Sequence, residues 1–166
     1  MLKVEKLSYA RNARILFKQL TFRLLPGQIL HIVGANGSGK TTLLQILTGL
    51  RIPLTGSVMW NGISIEKNRE KFTENLLYVN HRLGMKAALT PNENLYLCLA
   101  RRNLIDKQSK QKTLQNIRQT LEELNLKNCS DTLLTQLSLG QQRRLSLAKL
   151  LLIKADCWIL DEPFTS

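Results

Sequence analysis

Residues 34 to 42 read Gly34-Ala35-Asn36-Gly37-Ser38-Gly39-Lys40-Thr41-Thr42, a glycine followed by four residues and then Gly-Lys-Thr. This is the spacing of a loop that wraps phosphate. Glycines let the backbone curl closely and aim its amides inward, and a helix opening at the lysine presents its positive N-terminus. Lys40 then reaches the β- and γ-phosphates, and the Thr41 hydroxyl suits Mg²⁺. The chemistry that fits is the holding of ATP with Mg²⁺.

A second constellation ends an apolar run, Trp158-Ile159-Leu160-Asp161-Glu162. Side chains at the C-terminal end of a strand can both reach a phosphate loop. Asp161 would hold the metal through water, and Glu162 would orient and deprotonate an attacking water. For such a pair standing alone, surface acids capping a strand are the bland alternative. It does not stand alone, because Leu137-Ser138-Leu139-Gly140-Gln141 opens a helix earlier in the chain. Ser138 and the amides that follow bring a second helix N-terminus that suits phosphate.

These residues need elements to position them. The first third reads as short strands, Leu2–Val4, Leu20–Leu24, Ile29–Val33 and Ser57–Trp60, with turn signals at Pro26-Gly27, Thr55-Gly56 and Asn61-Gly62. Leu43, Leu44 and Leu47 give the helix after Lys40 one apolar face, and Gly49 stops it. Leu76–Val79 is a further strand, and Thr90-Pro91-Asn92-Glu93 forms a capping box with proline at the first helical position. An amphipathic helix follows from Lys112 to Leu126, beyond the solvated basic connection Arg101 to Lys112. The last third predicts a helix over Gln141 to Ile153 and a strand, Cys157–Leu160, buried on both faces. His31 falls in the strand ahead of the phosphate loop, where a core imidazole is expected.

A chain of 166 residues predicts one domain, and 43% hydrophobic with 22% charged residues predicts a globular core. The net charge of +12 would attract nucleic acid, an anionic membrane or a polyphosphate. The basic residues are spread out, however, and form no nucleic-acid-binding tail. Cys98, Cys129 and Cys157 include no CxxC pair and read as reduced thiols. The N-terminus carries no signal-peptide pattern, and the apolar stretches are too short to span a bilayer. A cytoplasmic location is expected, with any membrane role exercised through a partner.

Together the phosphate loop, the Leu137–Gln141 motif and the paired acids resemble the ATP-binding cassette (ABC) family, in which an LSGGQ signature stands where this chain has LSLGQ. Leu139 is the departure. The resemblance implies an α/β P-loop NTPase fold with a mixed core sheet, an antiparallel β subdomain and a helical subdomain. It implies one nucleotide-binding domain over 1–166, with the helical part inserted at about 90–135. In that family, residues matching Ser138, Gly140 and Gln141 cap the γ-phosphate of ATP on the other subunit of a head-to-tail dimer. Tyr9 stands where the family places an aromatic on adenine, and His81 where many members have a metal-sensing glutamine. The implied catalytic set is Glu162, Lys40 and His81; the metal ligands are Thr41 and Asp161; the cofactors are ATP and Mg²⁺.

Longer phrases, NLLYVNHRLGMKAALTPNENL, LSLGQQRRLSLAKLL and WILDEPFT, are similar to the ATP-binding subunits of haem exporters in cytochrome c maturation. Histidine at position 81, followed by Gly84-Met85-Lys86, fits that group. The implied partners are integral membrane subunits of the CcmB type, the implied site the cytoplasmic face of the inner membrane, and no nucleic acid is expected. Cassettes of the family run on past the position of Ser166, so slow or absent hydrolysis is expected of these residues alone. A subunit of another ABC transporter, a soluble cassette acting on nucleic acid or ribosomes, and a cassette that binds nucleotide without turnover are the alternatives.

Overall fold

The computed structural model describes residues 1–80, 84–105 and 110–163. The chain divides into two compact units, Met1–Leu76 and Leu77–Ser166.

In the first unit, β1 (Leu2–Arg11) turns back into β2 (Arg14–Leu24) through Asn12-Ala13. Both turn residues have positive φ, 49° and 60°, as a two-residue primed hairpin turn requires. β1 is longer than its apolar start suggests because an irregularity between Val4 and Leu7, with Lys6 at φ 47°, lets both flanking side chains be buried. β3 (Thr55–Trp60) pairs with the other edge of β1, and β4 (Ile63–Ser64) follows across Asn61-Gly62, giving the antiparallel order β2-β1-β3-β4. Helix α1 (Lys40–Leu47) buries Leu43, Ile46 and Leu47. It ends as expected, with Gly49 at φ 73° donating its N–H to the Ile46 carbonyl. A short helix that the sequence did not announce, α2 (Arg69–Glu74), buries Phe72, whose ring lies 5.7 Å from that of Trp60.

Residues Ile29–Val33 do not form the expected strand. Ile29 is 96% exposed and Val33 80%, and none of the strands in the described residues pairs with this run. An apolar run becomes a strand only where a neighbour takes its backbone N–H and C=O groups. His31 is accordingly exposed and is not a core imidazole.

The second unit opens within β5 (Leu76–Val79), which pairs with β6 (Cys157–Leu160) at the expected bounds. Leu77 and Val79 pack in one core with Leu95 and Leu99 of α3 (Pro91–Arg101), Ile117 and Leu121 of α4 (Lys110–Glu123), and Leu145 and Ala148 of α5 (Leu139–Leu152). The capping box at α3 forms as its residues predict: Thr90 Oγ1 accepts from the Glu93 amide at 3.2 Å, and the Glu93 carboxylate accepts from the Thr90 amide at 2.9 Å. Helix α5 starts two residues before the expected Gln141 because Ser138 caps it. In β6, Cys157 and Ile159 are buried while Trp158 is 53% exposed. The expectation of burial on both faces fails here: Cys157 and Ile159 share the buried face, and the face that carries Trp158 is open. Burial pushes the Cys157 thiol pKa up, as expected for an inert packed cysteine.

Candidate functional site

The phosphate loop occupies the turn leading into α1. Gly39 is the residue before the helix, with φ 100°, and Gly37 has φ 79°. Side-chain residues rarely adopt such angles, and a Cβ on Gly39 would also stand 3.1 Å from that of Leu16. The glycines are therefore required by the curl itself. The Leu43 amide closes the first helical turn on the Gly39 carbonyl at 2.8 Å. No side chain caps α1, and its first turn carries no acidic residue, so its N-terminal positive end is not neutralised from within the helix. The Lys40 ammonium lies over the loop, donating to the carbonyls of Gly34 at 2.7 Å and Ala35 at 3.1 Å. Gly34 to Ser38 are exposed, and Gly39 to Thr42 are half-buried. The loop thus sets the Lys40 charge over its own carbonyls at the uncapped N-terminus of α1, a combination that fits a polyphosphate.

Tyr9, in the same unit, is half-buried, and its ring lies 6.2 Å from that of Phe17. Its hydroxyl accepts from Arg51 Nη1 at 2.6 Å, and the guanidinium carbon stands 5.5 Å from the ring centroid. A cavity of about 800 Å³ opens beside it, lined among others by Ile15, Phe17, Lys18 and Leu54. That volume lies within the range of small-molecule sites.

The second unit holds the paired acids at the end of β6. Asp161 is only 2% exposed, and its amide donates to the Val79 carbonyl of β5 at 2.9 Å, which fixes where its side chain begins. A carboxylate so buried needs partners or a cation. Arg143 of α5 braces this end of the strand, its Nε donating to the Pro163 carbonyl at 3.1 Å and its Nη2 to the Asp161 carbonyl at 3.3 Å. Glu162 has φ 50°, a left-handed conformation that costs roughly 1–2 kcal/mol for a residue with a Cβ. Burial, and then the charge of Asp161, push the Tyr78 hydroxyl pKa up from 10.0 to about 12.

At the start of α5, Ser138 Oγ accepts from the Gln141 amide at 3.2 Å, and the Gln141 side-chain oxygen accepts from the Ser138 amide at 2.8 Å. This reciprocal cap uses the acceptor side of the hydroxyl and leaves its hydrogen able to donate. Gln142 steadies the approach to the cap from below, donating to the carbonyls of Leu134 at 3.1 Å and Leu137 at 3.0 Å. Leu139 is 81% exposed, so its bulk points away from the core.

His81 lies outside the described residues. The stretch from Lys86 to Thr90 is held by Asn94 of α3, which is 6% exposed. Its Oδ1 accepts from the Lys86 amide at 2.7 Å, and its Nδ2 donates to the carbonyls of Lys86, Leu89 and Thr90 at 3.0 to 3.1 Å. Asn94, Arg51, Gln142 and Arg143 were not singled out from the sequence. Each acts through backbone carbonyls or a distant residue, and no motif spacing records such contacts.

Residues 17–165 match the family model described as ABC transporter. Among characterised proteins, the chain is 42% identical over 166 residues to the "Cytochrome c biogenesis ATP-binding export protein CcmA" of Vibrio vulnificus, a match that covers 100% of this chain and 78% of that protein. It is 40% identical to the protein of the same name from Escherichia coli O157:H7, with coverage of 100% and 75%. Among solved structures, a dimeric ATP-binding cassette in a post-hydrolysis state bound to ADP and Pi superimposes with a TM-score of 0.84 at 24% identity, covering 99% of this chain and 75% of that one. An ABC transporter ATP-binding protein from Pyrococcus furiosus gives 0.82 at 24% identity, with coverage of 99% and 76%. These likenesses show the fold, an α/β P-loop cassette.

Proposed function

This chain belongs to the ABC transporter family, among the CcmA-type ATP-binding proteins of cytochrome c biogenesis, and on that premise we propose that it couples ATP binding and hydrolysis to export of haem, or a haem-related substrate, for c-type cytochrome assembly. It is an ABC-type ATPase. The observation that carries the ATP reading is the phosphate loop, with glycines at φ 79° and 100° and the Lys40 ammonium folded over its carbonyls. Haem as cargo rests on the likeness to the cytochrome c biogenesis proteins and on the phrases around positions 75–95 and 137–151.

In this reading the loop amides of Gly34 to Gly39, with Thr42, hold the phosphates, and Lys40 exchanges its carbonyl partners for β- and γ-phosphate oxygens. The base stacks on Tyr9. Thr41 and Asp161 would hold Mg²⁺, since a hydroxyl and a carboxylate are the hard oxygen donors that this ion takes. Bound with ATP, the ion supplies neutralisation of phosphate charge. Glu162 orients the attacking water and takes its proton. The Ser138 hydroxyl, the Gly140 amide and Gln141 meet the γ-phosphate held by a second cassette. The dimeric relative with ADP and Pi supports such an assembly. His81 would sense the metal and the membrane partner.

No helix among the described residues is long and apolar enough to cross a membrane. The likeness to CcmA-type export proteins supports a CcmB-type integral membrane subunit as the path, with this chain peripheral on the cytoplasmic face. The test is complementation in a strain that lacks its own CcmA-type subunit. Recovery of haem-stained c-type cytochromes by the wild-type gene, and not by its Lys40→Ala variant, is expected. Equal recovery by both, or by neither, contradicts the proposal.

A further inference from the structure

Arg51 lies in the turn after α1 and connects that helix to Tyr9. Its backbone N–H and its Nε both donate to Gln45 of α1, to the carbonyl and to the side-chain oxygen, each at 3.1 Å. Its Nη1 donates to the Tyr9 hydroxyl at 2.6 Å, with the guanidinium carbon 5.5 Å from the ring centroid. Gln45 sits in the helix whose first residue is Lys40. One rigid fork of donors therefore ties the Tyr9 ring to the element that carries the phosphate lysine. Phe17 bounds the same ring at 6.2 Å, tilted by 31°.

We propose that Arg51 is a positioning residue for base recognition, fixing the orientation of the Tyr9 ring relative to α1 so that base and phosphates are held at one separation. The inference rests on the reading that Tyr9 stacks the base. Arg51 is exposed, so its side-chain hydrogen bonds contribute little to folding. Their effect falls on recognition, because a ring held in place before binding has less freedom to lose on stacking. Losing the order of one side chain corresponds to roughly a 3- to 10-fold loss of affinity. That loss applies only to ligands that carry a base.

The test compares the Kd of Mg-ATP with that of Mg-triphosphate, which lacks a base, for the full chain and its variants by calorimetry. Arg51→Met should weaken ATP by about 3- to 10-fold and leave triphosphate within about twofold. Arg51→Lys, a point charge that cannot bridge both acceptors, should behave in the same way. Tyr9→Phe keeps the ring and removes the gripped hydroxyl, so it should also weaken ATP alone, and the double variant should be no weaker than Arg51→Met. Equal loss of ATP and triphosphate affinity would make Arg51 a mere support of the loop and overturn the inference. Unchanged ATP affinity in Arg51→Met, with a loss in Tyr9→Ala, would overturn the role of Arg51 and keep that of Tyr9. Unchanged ATP affinity in Tyr9→Ala would overturn both.

Discussion

Asn94→Ala tests how the stretch from Lys86 to Thr90 is held. The substitution removes the acceptor of the Lys86 amide and the amide group shared by the carbonyls of Lys86, Leu89 and Thr90. Nδ2 carries only two hydrogens, so the three carbonyl contacts count as about two bonds, and with the Lys86 contact about three are lost. A net hydrogen bond is worth about 1 kcal/mol, and a fully buried orphan costs more. Lys86 and its neighbours are largely exposed, which lets water replace part of the loss. The expected destabilisation is therefore about 3 kcal/mol, or a fall in Tm of about 6–12 °C at 2–4 °C per kcal/mol. The assay is thermal unfolding followed by circular dichroism, with amide exchange at Lys86 as the local probe. Asn94→Asp, which keeps the acceptor but faces three carbonyls with a charge, should fall at least as far. A drop below about 2 °C, with protection at Lys86 unchanged, would refute the reasoning.

Three further outcomes follow from the site. Ser138→Ala removes the cap of α5 and should cost about 1 kcal/mol, seen as a lower urea midpoint at unchanged slope. Glu162→Gln should leave Mg-ATP affinity near the wild-type value while phosphate release falls by about 10²- to 10⁴-fold, and equal losses in both would remove Glu162 from the chemistry. Tyr78 should titrate near pH 12 in absorbance at alkaline pH, not near 10.0. Its pKa is raised on folding, so the unfolded chain gives up this proton first. The stability it contributes is whole below pH 10.0 and is lost as pH climbs toward about 12. A Tyr78→Phe variant should lack that part of the alkaline slope.

Much of the site could be read from residue order because its contacts are local. The phosphate loop is set by a few adjacent φ angles that glycines permit, and both helix caps pair residues three apart. The strands Leu76–Val79 and Cys157–Leu160 were legible as apolar runs between turn signals. What failed depended on distant partners. Ile29–Val33 has the composition of a strand, but composition does not provide the neighbour that a ladder needs. The outward face of Trp158 and the brace from Arg51 to Tyr9 likewise depend on packing between segments far apart in sequence. The strain at Glu162 has no sequence signal, because glutamate is an unusual choice at φ 50°.

The central claim is that Gly34 to Thr42, through Lys40, binds the phosphates of ATP. Calorimetric titration of the full chain with Mg-ATP tests it most directly, with Lys40→Ala alongside. Saturable binding to one site per chain, competed by ADP, is expected, with a loss of at least about tenfold in Lys40→Ala as a charge-assisted contact is removed. Binding that is absent in the wild-type chain, or that survives Lys40→Ala unchanged, would contradict it.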